Sequence, residues 1–175
     1  MVEVLILNDR HKKNFGKEIF EILKTKTACM LVSGNKILKS GENTKILLIE
    51  NAEFKKITAE NYILVCGETD NTFDFSMFKN ANTIILNSEN KSVLKRIKQN
   101  FSQIILCGMR FCDTVTLSGV MGESATVSFC RTAKTLGGED VFENEIIFKN
   151  NNYDNLSLMA SGAILSIFKG DNFEN

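Results

Sequence analysis

One histidine, five cysteines and a scatter of carboxylates carry the reactive chemistry of this 175-residue chain. His11 is the lone imidazole, so any histidine-dependent general base is this side chain. With Asp9 beside it and Asp113 further on, it could supply acid–base groups to a small enzyme. Cys112, in a polar turn between Arg110 and Asp113, is the thiol best placed for nucleophilic attack, but a nucleophile needs a base and only His11 offers one. Cys66 and Cys107 instead end apolar runs, where a thiol packs as a small hydrophobe. Together with Cys112 they do not have the C-x₂-C spacing of a zinc site, and we expect no metal. Neither G-x-x-x-x-G-K-[ST] nor G-x-G-x-x-G occurs, so the sequence names no cofactor. Ser118 to Ser124, with glycines at 119 and 122, could offer backbone N–H groups to a phosphate if a helix follows it, although an ordinary turn is the simpler reading.

A second group suits binding better than reaction: Gly67, Asp70, Asn87, Glu89, Gly108 and Arg110. Each lies just beyond an apolar run of strand length, in ILVCGETD, TIILNSE and IILCGMR. The rhythm between these runs is regular. VEVLILN at the start is followed by a helical stripe of Phe15, Ile19, Ile22 and Leu23; ACMLV and KILK flank the turn Ser33-Gly34-Asn35; KILLI and YILVC follow. A helical candidate near 73–79, the strand TIILN, a helix over 89–100 and QIILC continue the pattern. Beyond them we expect a strand over 113–120 and a helix over 124–136, on the spacing of Ala125, Phe129, Ala133 and Leu136 with Gly137-Gly138 as its cap. A strand at EIIFK and a final helix through Leu156, Met159, Ala160, Ala163, Ile164 and Ile167 end the series.

Near-continuous apolar strands separated by helices are what a parallel sheet covered on both faces requires. The expectation is therefore an α/β fold: one Rossmann-like domain over 1–175, a three-layer sandwich with a mostly parallel sheet of six to eight strands and an antiparallel edge hairpin. In such sheets ligands settle beyond the carboxyl ends of the strands, which is where the six binding candidates fall.

Composition narrows the function classes. Lysine plus arginine equal aspartate plus glutamate at 21 each, so no charge excess advertises nucleic acid or an anionic membrane. No apolar stretch approaches the roughly 20 residues of a spanning helix. An odd number of cysteines, mostly inside apolar runs, fits a reducing compartment, and we expect a cytoplasmic protein.

TIILNSENKSVLKRIKQNFSQIILCGM, residues 83–109, resembles the later half of the central domain of Mur-type peptide ligases, in which a strand ending in Asn-x-Asp-Asp leads through a helix to a strand ending in Gly. Asn87 and Gly108 match, and Glu89 stands where an Asp would be. The nucleotide-binding loop of those ligases is absent. The resemblance implies a related Rossmann-like fold with Asn87 near a nucleotide, and not ligase activity. Three readings follow: a ligand-binding or accessory module with a small molecule at the strand crest; a small enzyme using His11, Asp9, Asp113 and Cys112; or a structural or partner-binding protein with an empty crest, associating, for example as a homodimer, through helix 155–168 or the hairpin 28–39.

Overall fold

Every residue of Tyr62–Cys66 is buried, and Ala81–Asn87 is buried at five of its seven positions, so these strands meet protein on both faces. That two-sided burial sets the architecture. The computed structural model describes residues 1–8, 14–67, 74–97 and 101–169. The elements are β1 (Val2–Leu7), α1 (Phe15–Leu23), β2 (Cys29–Ser33), β3 (Lys36–Ser40), β4 (Ile46–Asn51) and β5 (Tyr62–Cys66). A 3₁₀ turn (Phe75–Phe78), β6 (Ala81–Asn87), α2 (Lys91–Arg96), β7 (Gln103–Cys107), β8 (Val115–Met121) and β9 (Ser124–Phe129) follow. Last come β10 (Ala133–Lys134), β11 (Asp140–Val141), β12 (Asn144–Lys149) and α3 (Asn155–Lys169).

Ten strands form one sheet in the order β12-β9-β8-β7-β6-β5-β1-β4-β2-β3, and β10 and β11 form a small separate hairpin. From β2 across to β8 all neighbours pair in parallel, whereas β3 at one edge and β9 and β12 at the other pair antiparallel. Alternation along β1 separates the layers. Val4 and Ile6 join the core under α1 and α3, while Leu5 and Leu7 join the opposite core with Phe75, Phe78 and Val93. The fold is thus an α/β three-layer sandwich, with α1 and α3 on one face and the 3₁₀ turn, α2 and the chain around Phe54 and Ile57 on the other.

Three expectations are corrected. The sheet has ten strands, two more than the upper expectation, and one of them is β9, which occupies the start of the region read as a helix over 124–136; the short β10 after it pairs with β11 outside this sheet. A spacing of four is also an even spacing, so Ala125, Phe129 and Ala133 share one face of a strand as readily as one stripe of a helix. Val127 falls on the same inner face, and pairing with β8 and β12 on both sides settles the matter. Consequently Ser118 to Ser124 is the tip of a β-hairpin, with Gly122 at φ 57°, and precedes no helix. The helix expected over 89–100 is the shorter α2.

α3 is buried along its length rather than displayed. A Cβ added to Gly162 would lie 2.6 Å from Val127 Cγ1, so its small residues seat the helix on β9. Among the described residues no helix is long and apolar enough to cross a membrane.

Candidate functional site

Asn8 follows β1, Asn87 ends β6 with Glu89 just beyond it, and Gly108 and Met109 follow β7, all at the carboxyl rim of the parallel strands. On the rim stand the first turns of α1 (Asn14, Phe15, Glu18) and of α3 (Asp154 to Ser157, with Met159). Between them lies a cleft of about 500 Å³. Of the binding candidates, Asn87, Glu89 and Gly108 line it. Gly67 and Arg110 stand outside the lining: Gly67 lies behind Asn8 and Phe15, and Arg110 faces Ser88 and Asp113. Asp9, His11 and Asp70 fall outside the described residues.

Both helix N-termini at the rim hold carboxylates of the chain itself. Glu50, near the end of β4, accepts hydrogen bonds from Gly16 N (3.0 Å), Asn8 Nδ2 (3.1 Å) and Ser33 Oγ (2.7 Å). It thereby sits at the positive end of α1. Glu18 from α1 accepts from Asp154 N (3.1 Å) and Ser157 Oγ (2.7 Å), and Asp154 Oδ1 accepts from Leu156 N (2.9 Å). Helix N-termini at a strand crest are ready-made phosphate sites. Here internal carboxylates hold those positions, and the described lining carries three acids, Glu18, Glu89 and Asp154, with the amides of Asn8, Asn14, Asn87 and Asn155 and no lysine or arginine.

Asp113 is 1% exposed and ties the turn after β7 to the end of β6. Its Oδ2 accepts from Ser88 Oγ (2.9 Å) and Arg110 N (2.8 Å), and its Oδ1 meets the Arg110 guanidinium at 3.2 Å. The guanidinium also donates to Ser88 O at 2.9 Å. Gly108 has to be glycine for this to form, since a Cβ there would run into Ser88 Oγ and Asp113 Oδ2. The predicted acid–base residue is thus a structural clamp, both oxygens turned into protein, that fixes one wall of the cleft.

Cys112 is exposed next to this clamp, 4.0 Å from Asp113 Oδ1. Cys66 and Cys107 are buried, and burial pushes both thiols well above their ordinary range. Among the described residues no three His, Cys, Asp or Glu side chains are arranged to hold a metal.

The helix-borne residues Asn14, Glu18, Asp154 and Ser157 were not among the sequence candidates. A signal exists for one of them, since Asp154 stands just before the apolar stripe of the final helix, where a capping side chain belongs. What the sequence lacks is the strand order that brings the starts of α1 and α3 to one rim.

No protein-family model matches the chain, and neither does any curated protein sequence. Solved structures do. MurF ligase from Thermotoga maritima in complex with ADP aligns with 99% of this chain at a TM-score of 0.52 and 10% identity. A UDP-N-acetylmuramoyl-L-alanyl-D-glutamate–2,6-diaminopimelate ligase aligns with 99% at 0.56, again with 10% identity. The chain shares a fold with Mur ligases. The likeness read from residues 83–109 extends across the whole chain in three dimensions, and the chain spans 48% and 44% of those two proteins. At this identity the kinship concerns fold alone.

Proposed function

We propose that the chain is a ligand-binding or accessory module whose site is the crest cleft, and that its ligand is a small polar molecule, neutral or bearing an amine, rather than a nucleotide. The observation that carries this reading is the cleft of about 500 Å³ at the carboxyl ends of β1, β6 and β7, lined by amides and carboxylates. A volume of this order suits a metabolite-sized guest. Two features argue against phosphate. Glu50 and Glu18 already satisfy donors at the starts of α1 and α3, and a phosphate brought there would meet like charge. The sequence also lacks both glycine-rich phosphate signatures.

Thermal-shift titration against parallel panels of amines, sugars, nucleosides and nucleotides tests the reading. A ligand at a hundred times its Kd stabilises the folded state by about 2.7 kcal/mol, a readily measured rise in Tm. The expected hit is an amine or neutral polyol whose effect disappears in Asn87→Ala while the variant keeps its circular dichroism spectrum. Silence across all four panels would remove the cleft as a binding site.

A further inference from the structure

We propose that β12 is a self-complementary edge through which two copies of this chain pair, continuing the sheet across a two-fold axis at Ile147. β12 closes one end of the ten-stranded sheet, with β9 on its inner side and no strand on its outer side among the described residues. The backbone phase of that outer side follows from bonds at both ends of β9. Asn150 N donates to Glu123 O, and Cys130 N donates to Thr114 O across on β8. In an antiparallel ladder hydrogen-bonded and non-bonded pairs alternate. Asn144, Ile146 and Phe148 therefore direct their N–H and C=O groups at β9, whereas Glu145, Ile147 and Lys149 direct theirs outward.

The side chains of these same three residues are exposed, Ile147 at 61%. In an antiparallel pairing of two β12 strands, an outward-facing residue can form a hydrogen-bonded pair only with another outward-facing residue. Centring the axis on Ile147 brings all three into such pairs: Ile147 faces the same residue of the second copy, and Glu145 faces Lys149 on either side of it. Each pair exchanges two main-chain hydrogen bonds, about six in all. Opposite charges directly across a ladder attract, and here the attraction occurs twice. Lys149 is available for it, since its present partner Glu123 is 3.6 Å away and both ends are exposed. A chain of zero formal net charge also presents no long-range repulsion to its own copy.

The other sheet edge makes the contrast. β3 reads KILKS, two lysines and no acid, the composition that guards an edge against self-pairing. β12 reads NEIIFK, with one acid and one base placed symmetrically about Ile147.

Light scattering behind size exclusion, with sedimentation at chain concentrations up to about 1 mM, tests the pairing; 1 mM is the Kd of an association of only about −4 kcal/mol. The expected result is a mass that rises toward twice 19.6 kDa with concentration. Glu145→Lys places lysine against lysine twice and should weaken association roughly ten-fold or more. The double variant Glu145→Lys with Lys149→Glu restores opposite charges and should recover it. Ile147→Pro removes an outward N–H that β9 does not use, so it should give a folded monomer with an unchanged urea midpoint. A monomer at every concentration overturns the proposal. So does a dimer indifferent to Glu145→Lys, or a double variant no better than the single one. None of these outcomes bears on the crest cleft, which lies at the ends of other strands.

Discussion

Asp113 has both carboxylate oxygens engaged by Ser88 and Arg110, and that gives it a direct part in stability. Removing it strands Ser88 Oγ, a buried hydroxyl, and releases the turn that Arg110 N closes. The Arg110 ion pair adds little to this cost, because its guanidinium side is 47% exposed. An unsatisfied buried donor costs about 1–3 kcal/mol, so Asp113→Ala should lower the unfolding free energy by about 2 kcal/mol in urea titration. Gly108→Ala, which drives a methyl into the same pair, should cost a similar amount, and the two losses should not add in the double variant. Full additivity would mean that Gly108 and Asp113 serve different structures. Thiol chemistry separates the cysteines as sharply. Cys112 and Cys130 are exposed and should react with a neutral-pH labelling reagent in the native state, while Cys29, Cys66 and Cys107 should react only after unfolding. Mass spectrometry showing early label on any of the latter three would contradict the buried placement. At this scale the sequence was informative where position relative to a strand decides exposure. Asn87, Glu89 and Gly108 were legible as cleft residues because each follows an apolar run that could only be a buried strand. Asn14 and Glu18 were not, and Asp154 was legible only as a helix cap, since nothing local says which helices start at which rim.

At the scale of elements the hydrophobic runs carried most of the information. β5 and β6 were readable because strands buried on both faces carry few polar positions to confuse their length, and β1 and β7 because each holds an unbroken apolar run, although Ile104 of β7 is exposed. β9 was not, and the reason is arithmetical: a stripe at i, i+4, i+8 satisfies a period of two as well as it approximates 3.6. The alternating Thr126 and Ser128 on its outer face were the available clue, together with the β-branched and aromatic content of SATVSF. This strand in turn explains α3, whose waist at Gly162 is shaped to Val127. Gly162→Leu should therefore destabilise the fold by overpacking, by about 1–3 kcal/mol or more, without changing its state of association. Val127→Ala in the same chain should return part of the loss by making room, a coupling readable in a double-mutant cycle. Absence of coupling would mean that the helix does not seat where Val127 meets it.

For the molecule as a whole, the buried thiols make folding sensitive to alkali. Desolvation raises Cys29 to about 11 and lifts Cys66 and Cys107 further, while the enclosed Tyr62 phenol rises to about 12. In the unfolded chain the thiols ionise near the ordinary value of 9.0. Above that pH the unfolded state has released protons that the native state still holds, so native chains bind more protons and stability falls as pH rises. The sign follows from the direction of the shifts: the contribution is fully present below pH 9.0, declines from there, and stops declining for Cys29 once its folded value of about 11 is passed. Each fully mismatched group contributes about 1.4 kcal/mol per pH unit, so three thiols give a slope of roughly 4 kcal/mol per unit at its steepest. Against a typical domain stability of about 5–15 kcal/mol that is a large fraction, and Tyr62, whose phenol ionises near 10.0 in the unfolded chain, adds to the fall above that pH. The urea midpoint should thus be level through neutral pH and drop steeply above pH 9.0. Replacing Cys29, Cys66 and Cys107 by alanine should lower the midpoint at pH 7 through lost packing yet flatten the alkaline fall. If the triple variant loses stability with pH as steeply as the natural sequence, the titrating groups lie elsewhere, and the dry interior placed around these sulfurs on both faces of the sheet is wrong.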